Sequence, residues 1–160
     1  MQLPSSSNNF QTEHAELLRS SFNRLLQRTL LPETDDLSPD AFAQALFESP
    51  SVILSHGLQD DPIFNYGNRA ALNLFEMDWD SLTQLPSRKS AEPLNRAERA
   101  RLLDTVTRKK FIDDYSGVRI SSSGRRFLIP KAIVWNLVDD KGKLHGQAAT
   151  FSDWEYLQDR

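Results

Sequence analysis

The sequence has 160 residues, 39% of them apolar, with a formal net charge of −3 and no cysteine. That length suits one domain, and three Trp, nine Phe and three Tyr give it large side chains to bury, which is not a disordered composition. The missing thiols exclude disulfide staples, thiolate metal sites, Cys nucleophiles and a cysteinyl adduct to a chromophore, and the charge gives no global pull toward nucleic acid or an anionic membrane.

Residues 1–10 are polar, rich in Ser and Asn, and read as a flexible tail. From Thr12 onward Leu17, Leu18, Phe22, Leu25, Leu26 and Leu30 recur at three- and four-residue steps, one apolar face of a helix that ends before Pro32. Ser38-Pro39-Asp40 opens a second helix with a hydroxyl N-cap, a first-turn proline and an early acid. Phe42, Ala45 and Leu46 form its apolar face, and Ser49-Pro50 stops it. The period then changes. Val52, Ile53 and Leu54 within Ser51–His56 suit a short buried strand, and Gln59-Asp60-Asp61-Pro62 is turn chemistry. Ile63–Gly67 reads as a second strand with Phe64 and Tyr66 on one face. Asn68 caps a helix through Phe75, and Trp79, Leu82 and Leu85 make a helical turn stopped by Pro86.

Ser87–Pro93 reads as a polar loop, after which Asn95 and Glu98 form a capping-box-like start. The long helix that follows runs to about Lys110, with Leu102, Leu103 and Val106 apolar. Arg96, Arg99, Arg101, Arg108, Lys109 and Lys110 outnumber Glu98 and Asp104 on it. The last third has period two: Val118 and Ile120, a turn at Ser122-Ser123-Gly124, a strand Phe127–Val138 carrying Trp135, a turn at Asp139–Gly142, and a strand from Leu144 toward Trp154. Strands at both ends enclosing a helical middle predict an α+β fold. The expected architecture is a five-stranded antiparallel sheet with helices on one face. A domain over residues 39–156 would follow an amphipathic flanking helix and linker over 11–38.

That order of elements resembles the PAS fold. The run Phe64-Asn65-Tyr66-Gly67-Asn68-Arg69-Ala70-Ala71-Leu72-Asn73-Leu74-Phe75 resembles the strand-to-helix segment of PAS domains. With Leu85-Pro86-Ser87-Arg88, Ser90-Ala91-Glu92-Pro93, Phe111-Ile112-Asp113-Asp114-Tyr115, Arg119–Phe127, Val134–Leu137 and Gly146–Phe151, the stretch from about Ala41 to Trp154 is similar to the MEKHLA domain family, a PAS-related group. The six-letter string that names that family is absent here. Its absence implies a standalone cyanobacterial or algal-type member, and the DNA-binding role of the plant regulators that share the domain is not carried over. The resemblance implies sensing or regulated association; a small enzyme using the helix–sheet space and a pure interaction scaffold without ligand stay open as alternatives.

A ligand held between sheet and long helix would meet Trp135, Asn136 and Gln147 on adjacent central strands. Phe64, Tyr66, Asn68, Leu72, Leu103 and Val106 belong to the same candidate pocket, or are plain core. Buried Asn and Gln need hydrogen-bond partners, which a ligand or a neighbouring helix can supply. No P-loop, nucleophile elbow or Gly-x-Gly-x-x-Gly occurs, so no catalytic residue is assigned. His14, His56 and His145 lie far apart, and no metal site is assigned; a single axial His for haem stays open, as does non-covalent flavin. The Asp pairs read as turn formers, except Asp113-Asp114, placed at the long helix exit as a possible polar network. Leu17, Leu18, Phe22, Leu25 and Leu26 either fold back on the domain or meet a partner, and the resemblance to PAS-like domains implies a homodimer or a regulatory protein. The basic helix reads as a solvated face, with no nucleic acid expected. No run approaches ~18 apolar residues and residues 1–10 carry no leader signal, so no membrane span is expected and the cytoplasm is the expected location.

Overall fold

A computed structural model describes residues 2–32, 34–91 and 96–158. Its strands are β1 (Val52–His56), β2 (Phe64–Gly67), β3 (Phe111–Ile120), β4 (Arg126–Val138), β5 (Leu144–Phe151) and the two-residue β6 (Glu155–Tyr156). They pair antiparallel in the order β2-β1-β5-β4-β3, with β6 added against the start of β4. The helices are α1 (Thr12–Leu26), α2 (Pro39–Glu48), α3 (Arg69–Phe75), α4 (Trp79–Leu82) and α5 (Arg96–Lys109), with 3₁₀ turns at Ser6–Asn8 and Ser87–Ser90. The expected α+β architecture and its five-stranded sheet are present.

The turn chemistry explains where elements start and stop. Ser38 accepts from the Ala41 amide, with Pro39 in the first turn of α2. Asn68 caps α3 by accepting from the Ala71 amide at 3.1 Å. Gly124 and Gly142 take the positive φ that both hairpin turns require. The Asn95 cap lies outside the described residues. α1 is shorter than its leucine pattern. Gln27 turns left-handed at its end, and Leu30 and Leu31 are buried beyond it. The expected loose tail contains a 3₁₀ turn, anchored by Phe10 against Phe47 at 6.3 Å between ring centroids.

Two apolar layers flank the sheet. On one face Ala15, Leu18 and Phe22 of α1 and Phe42 and Leu46 of α2 pack over Ile53, Tyr66, Trp135, Leu137 and Ala148. On the other, Ala71, Leu74 and Phe75 of α3 and Leu82 of α4 pack over Val52, Leu54, Phe64, Phe127, Ile129 and Phe151, while α5 crosses β3 and β4. The amphipathic stripe of α1 is therefore spent within the chain: Leu18 and Phe22 are buried, and Leu17, Leu25 and Leu26 are half-buried. That corrects the placing of Leu18 and Phe22 at a partner interface. Polar contacts reinforce the docking. Ser21 Oγ donates to the Val138 carbonyl and accepts from its amide, both at 2.8 Å, and Arg24 donates to the carbonyls of Val138 and Asp139.

Candidate functional site

Between the sheet, the Ser87–Ser90 turn and Leu102 of α5 lies a cavity of about 60 Å³. Its apolar wall is Leu54, Phe64, Phe75, Ile129, Val134 and Phe151, with Leu102 reaching in from α5. Its polar lining residues are Ser55, His56, Ser87, Ser90, Tyr115, Arg119 and Gln147. Sheet pairing makes this grouping. Leu54 and Val134 both pair with Ala149, His56 with Gln147, and Tyr115 with Ala132, so one face of four strands converges here.

At one end Arg119, half-buried on β3, donates to Ser90 Oγ at 3.2 Å and more weakly to Tyr115 Oη at 3.4 Å. Ser90 Oγ in turn donates to the Ser87 carbonyl at 2.7 Å, and both serines are buried. Gly117 permits this corner: a Cβ there would run into the Tyr115 hydroxyl and ring, so only glycine lets the phenol lie along the strand toward Arg119. At the other end Gln147 donates to Asn136 Oδ1 at 3.0 Å, and Asn136 reaches the Val106 carbonyl of α5.

Of the residues expected around a ligand, Phe64 and Gln147 line the cavity, and Asn136 and Val106 stand just behind it. Tyr66 and Trp135 do not: both lie on the α1 face. Trp135 and Asn136 are neighbours on a strand, so they must point to opposite faces. Phe64 and Tyr66 should share a face, but β1 pairs His56 with Phe64 and Ser55 with Tyr66, skipping Asn65. That bulge flips the side-chain phase between them. Asn68 is a buried structural hub, accepting from the Ile53 and Ala71 amides and donating to the carbonyls of Leu46 and Ser51. Leu72 packs partly buried between the two apolar layers. The side chain of Leu103 lies outside the described residues; Leu102, one position earlier, reaches the cavity.

The sequence reading missed Ser87, Ser90, Tyr115 and Arg119. The Ser-x-x-Ser spacing, which sets both hydroxyls on one side of a single helical turn, was the available signal for the serines. Tyr115 and Arg119 were hidden because β3 begins at Phe111, not near Val118. Asp113 and Asp114 are consequently exposed strand residues and not a network at a helix exit.

The α1 face holds a second polar group. Ser55 Oγ donates to Asn65 Oδ1 at 2.5 Å and lies 2.8 Å from His14 Nε2. With its single proton committed to Asn65, the hydroxyl accepts from a neutral His14 carrying its proton on Nε2. Burial, aided by His145, lowers the His14 pKa to about 4. Tyr66 stacks on His14 at 5.4 Å, and its phenol is pushed upward by burial. His145 lies 2.8 Å from Asp139, whose carboxyl is held down to about 2 by that contact and by the Lys143 and Lys141 amides. Among the described residues no group of three His, Asp or Glu is arranged to hold a metal ion, and no helix is long and apolar enough to cross a membrane.

Comparison with known proteins gives this geometry a context. The MEKHLA domain family model matches residues 12–156, which takes in α1. Homeobox-leucine zipper protein HOX29 of Oryza sativa subsp. indica is 27% identical over 121 residues, 75% of this chain but 14% of the rice protein. Homeobox-leucine zipper protein REVOLUTA of Arabidopsis thaliana is 22% identical over 147 residues, 89% of this chain and 18% of that protein. The chain thus corresponds to a small part of these relatives. Among solved structures, the PAS domain of a protein from Colwellia psychrerythraea superposes with a TM-score of 0.59 at 13% identity, covering 68% of this chain and 89% of that one.

Proposed function

The chain belongs to the MEKHLA domain family, and from that premise we propose that it is a sensory or regulatory module that couples a small ligand to protein association. The ligand occupies the cavity beside Arg119, and α1 on the opposite face transmits the change to a regulatory protein or a second copy. The observation that carries this reading is the two-sided use of the same central strands. On β5, Gln147 and Ala149 line the cavity, and Ala148 between them borders it while also packing in the layer beneath α1. A shift of β5 is therefore felt on both faces. A ligand moves α1 only as far as its affinity differs between the docked and undocked arrangements.

The cavity volume bounds the ligand. About 60 Å³ is far below the ~300–1,000 Å³ of pockets for drug-sized ligands, so flavin or haem would require the walls to move apart. Catalysis is disfavoured by the lining: among the described residues it offers His56, Tyr115 and Arg119 as titratable groups and no carboxylate. A scaffold without ligand is the rival reading, favoured by the same small volume.

Native mass spectrometry of the purified protein, with hydrogen exchange of residues 12–26 before and after stripping by unfolding and refolding, separates the two. A retained small molecule whose removal changes α1 exchange supports the sensor. An empty protein with unchanged exchange, to which no small molecule binds on screening, favours the scaffold.

A further inference from the structure

We propose that the ligand is a small monocarboxylate, its carboxylate paired with Arg119 and its short apolar body lying among Leu54, Phe64, Ile129 and Val134; this deepens the sensor reading and rests on it. The starting point is an unbalanced charge. Arg119 is half-buried at the end of a mostly apolar cavity, and among the described residues it makes no ion pair. Its contacts are Ser90 Oγ at 3.2 Å, Tyr115 Oη at 3.4 Å and the Tyr115 ring, 5.9 Å from its centroid. A guanidinium has five N–H donors in a planar fork. Two are directed at neutral hydroxyls, which leaves donors for a carboxylate and satisfies none of the charge.

Charge and volume narrow the class. Among the described residues Arg119 is the one permanent cation lining the cavity, so a single negative charge is matched. A dicarboxylate would bring a second charge into apolar surroundings without a partner, and a phosphate carries nearly two charges at neutral pH. The 60 Å³ of space admits roughly four to six water-sized groups, the size of a short-chain acid. The Tyr115 hydroxyl, brought over Gly117, and Ser90 hold the fork in orientation so that an arriving carboxylate meets a fixed donor pair.

The test is calorimetric and NMR titration of the full chain with butyrate, butyramide and succinate. Butyrate should saturate with shifts in the amides around Arg119 and Ala149, and butyramide and succinate should bind at least 10-fold more weakly. Arg119→Gln should lose at least 10-fold for butyrate and nothing for butyramide. Should Arg119→Gln fail to fold, Ala149→Leu fills the cavity from β5 with Arg119 untouched, and butyrate binding should vanish. Equal binding of butyrate and butyramide, undiminished butyrate binding in Arg119→Gln or Ala149→Leu, or no binding of butyrate would each overturn the carboxylate assignment. Butyramide binding that alters α1 exchange would leave the sensor reading standing without it. Butyrate binding that leaves α1 exchange unchanged would uphold the assignment and remove the sensor coupling.

Discussion

Asn68 and His14 hold the fold together in opposite ways. Asn68 is buried with both ends of its amide occupied, joining β1, the end of α2 and the start of α3. Truncation strands two backbone amides and two carbonyls, so Asn68→Ala should cost about 2–4 kcal/mol, read as a lower midpoint in urea. His14 is half-buried and held neutral, and its sign follows from linkage. With the folded pKa near 4 and the ordinary value 6.5, the unfolded chain binds more protons between those pH values. Stability is therefore complete above about pH 6.5 and declines as pH falls toward 4, by up to ~3 kcal/mol. His14→Gln should flatten that slope. Circular dichroism melts across pH 4–7.5 check it, and an unchanged slope in the variant would assign the effect elsewhere. Asp139 acts at lower pH: its contribution is present above its ordinary value of 3.8 and is lost as pH falls toward 2. The cap role of Asn68 was legible because a strand ending in Asn before an Ala/Leu-rich run is local chemistry. The setting of His14 was not, because its Ser55 contact joins residues 41 positions apart.

Among the elements, α1 and the β1–β5 ladder are most exposed to single changes. Phe22 meets Trp135 edge-to-face at 5.0 Å and is nearly fully buried. Phe22→Ala should cost about 3–5 kcal/mol and raise exchange throughout residues 12–26 more than in α3. Gly146 lies on β5 beside the end of β1, and a Cβ there would collide with the His56 carbonyl oxygen. Gly146→Ala should break the His56–Gln147 pairing and yield insoluble or strongly destabilised protein, whereas Gly124→Ala, with open space around it, should remain soluble with only turn strain. Helix starts and hairpin turns could be read from sequence because caps and turns depend on neighbouring residues. The β2 bulge could not: skipping Asn65 is decided by pairing with β1, and it sends Tyr66 to the opposite layer from Phe64. The same limit hid the first half of β3, where Asp113 and Asp114 interrupt an apolar pattern on an exposed edge strand.

At the scale of the whole molecule, the sheet closes only when distant strands meet. β1 pairs with β5 along its full length, Val52 opposite Phe151, while β3, β4 and β5 form a local meander. Such non-local pairing slows folding. Stopped-flow refolding should give a main phase in milliseconds to seconds, and microsecond folding would contradict the topology. The order of elements announced this architecture, but which face α1 covers depended on tertiary packing alone. That packing has a practical corollary. Trp135 lies under Phe22 with its indole N–H buried and without a hydrogen-bond partner among the described residues, and Trp79 is buried on the same side against Tyr66. Lifting α1 would bring solvent to Trp135 first, so the molecule carries an intrinsic optical gauge: emission shifting to longer wavelength reports departure of the helix without any label.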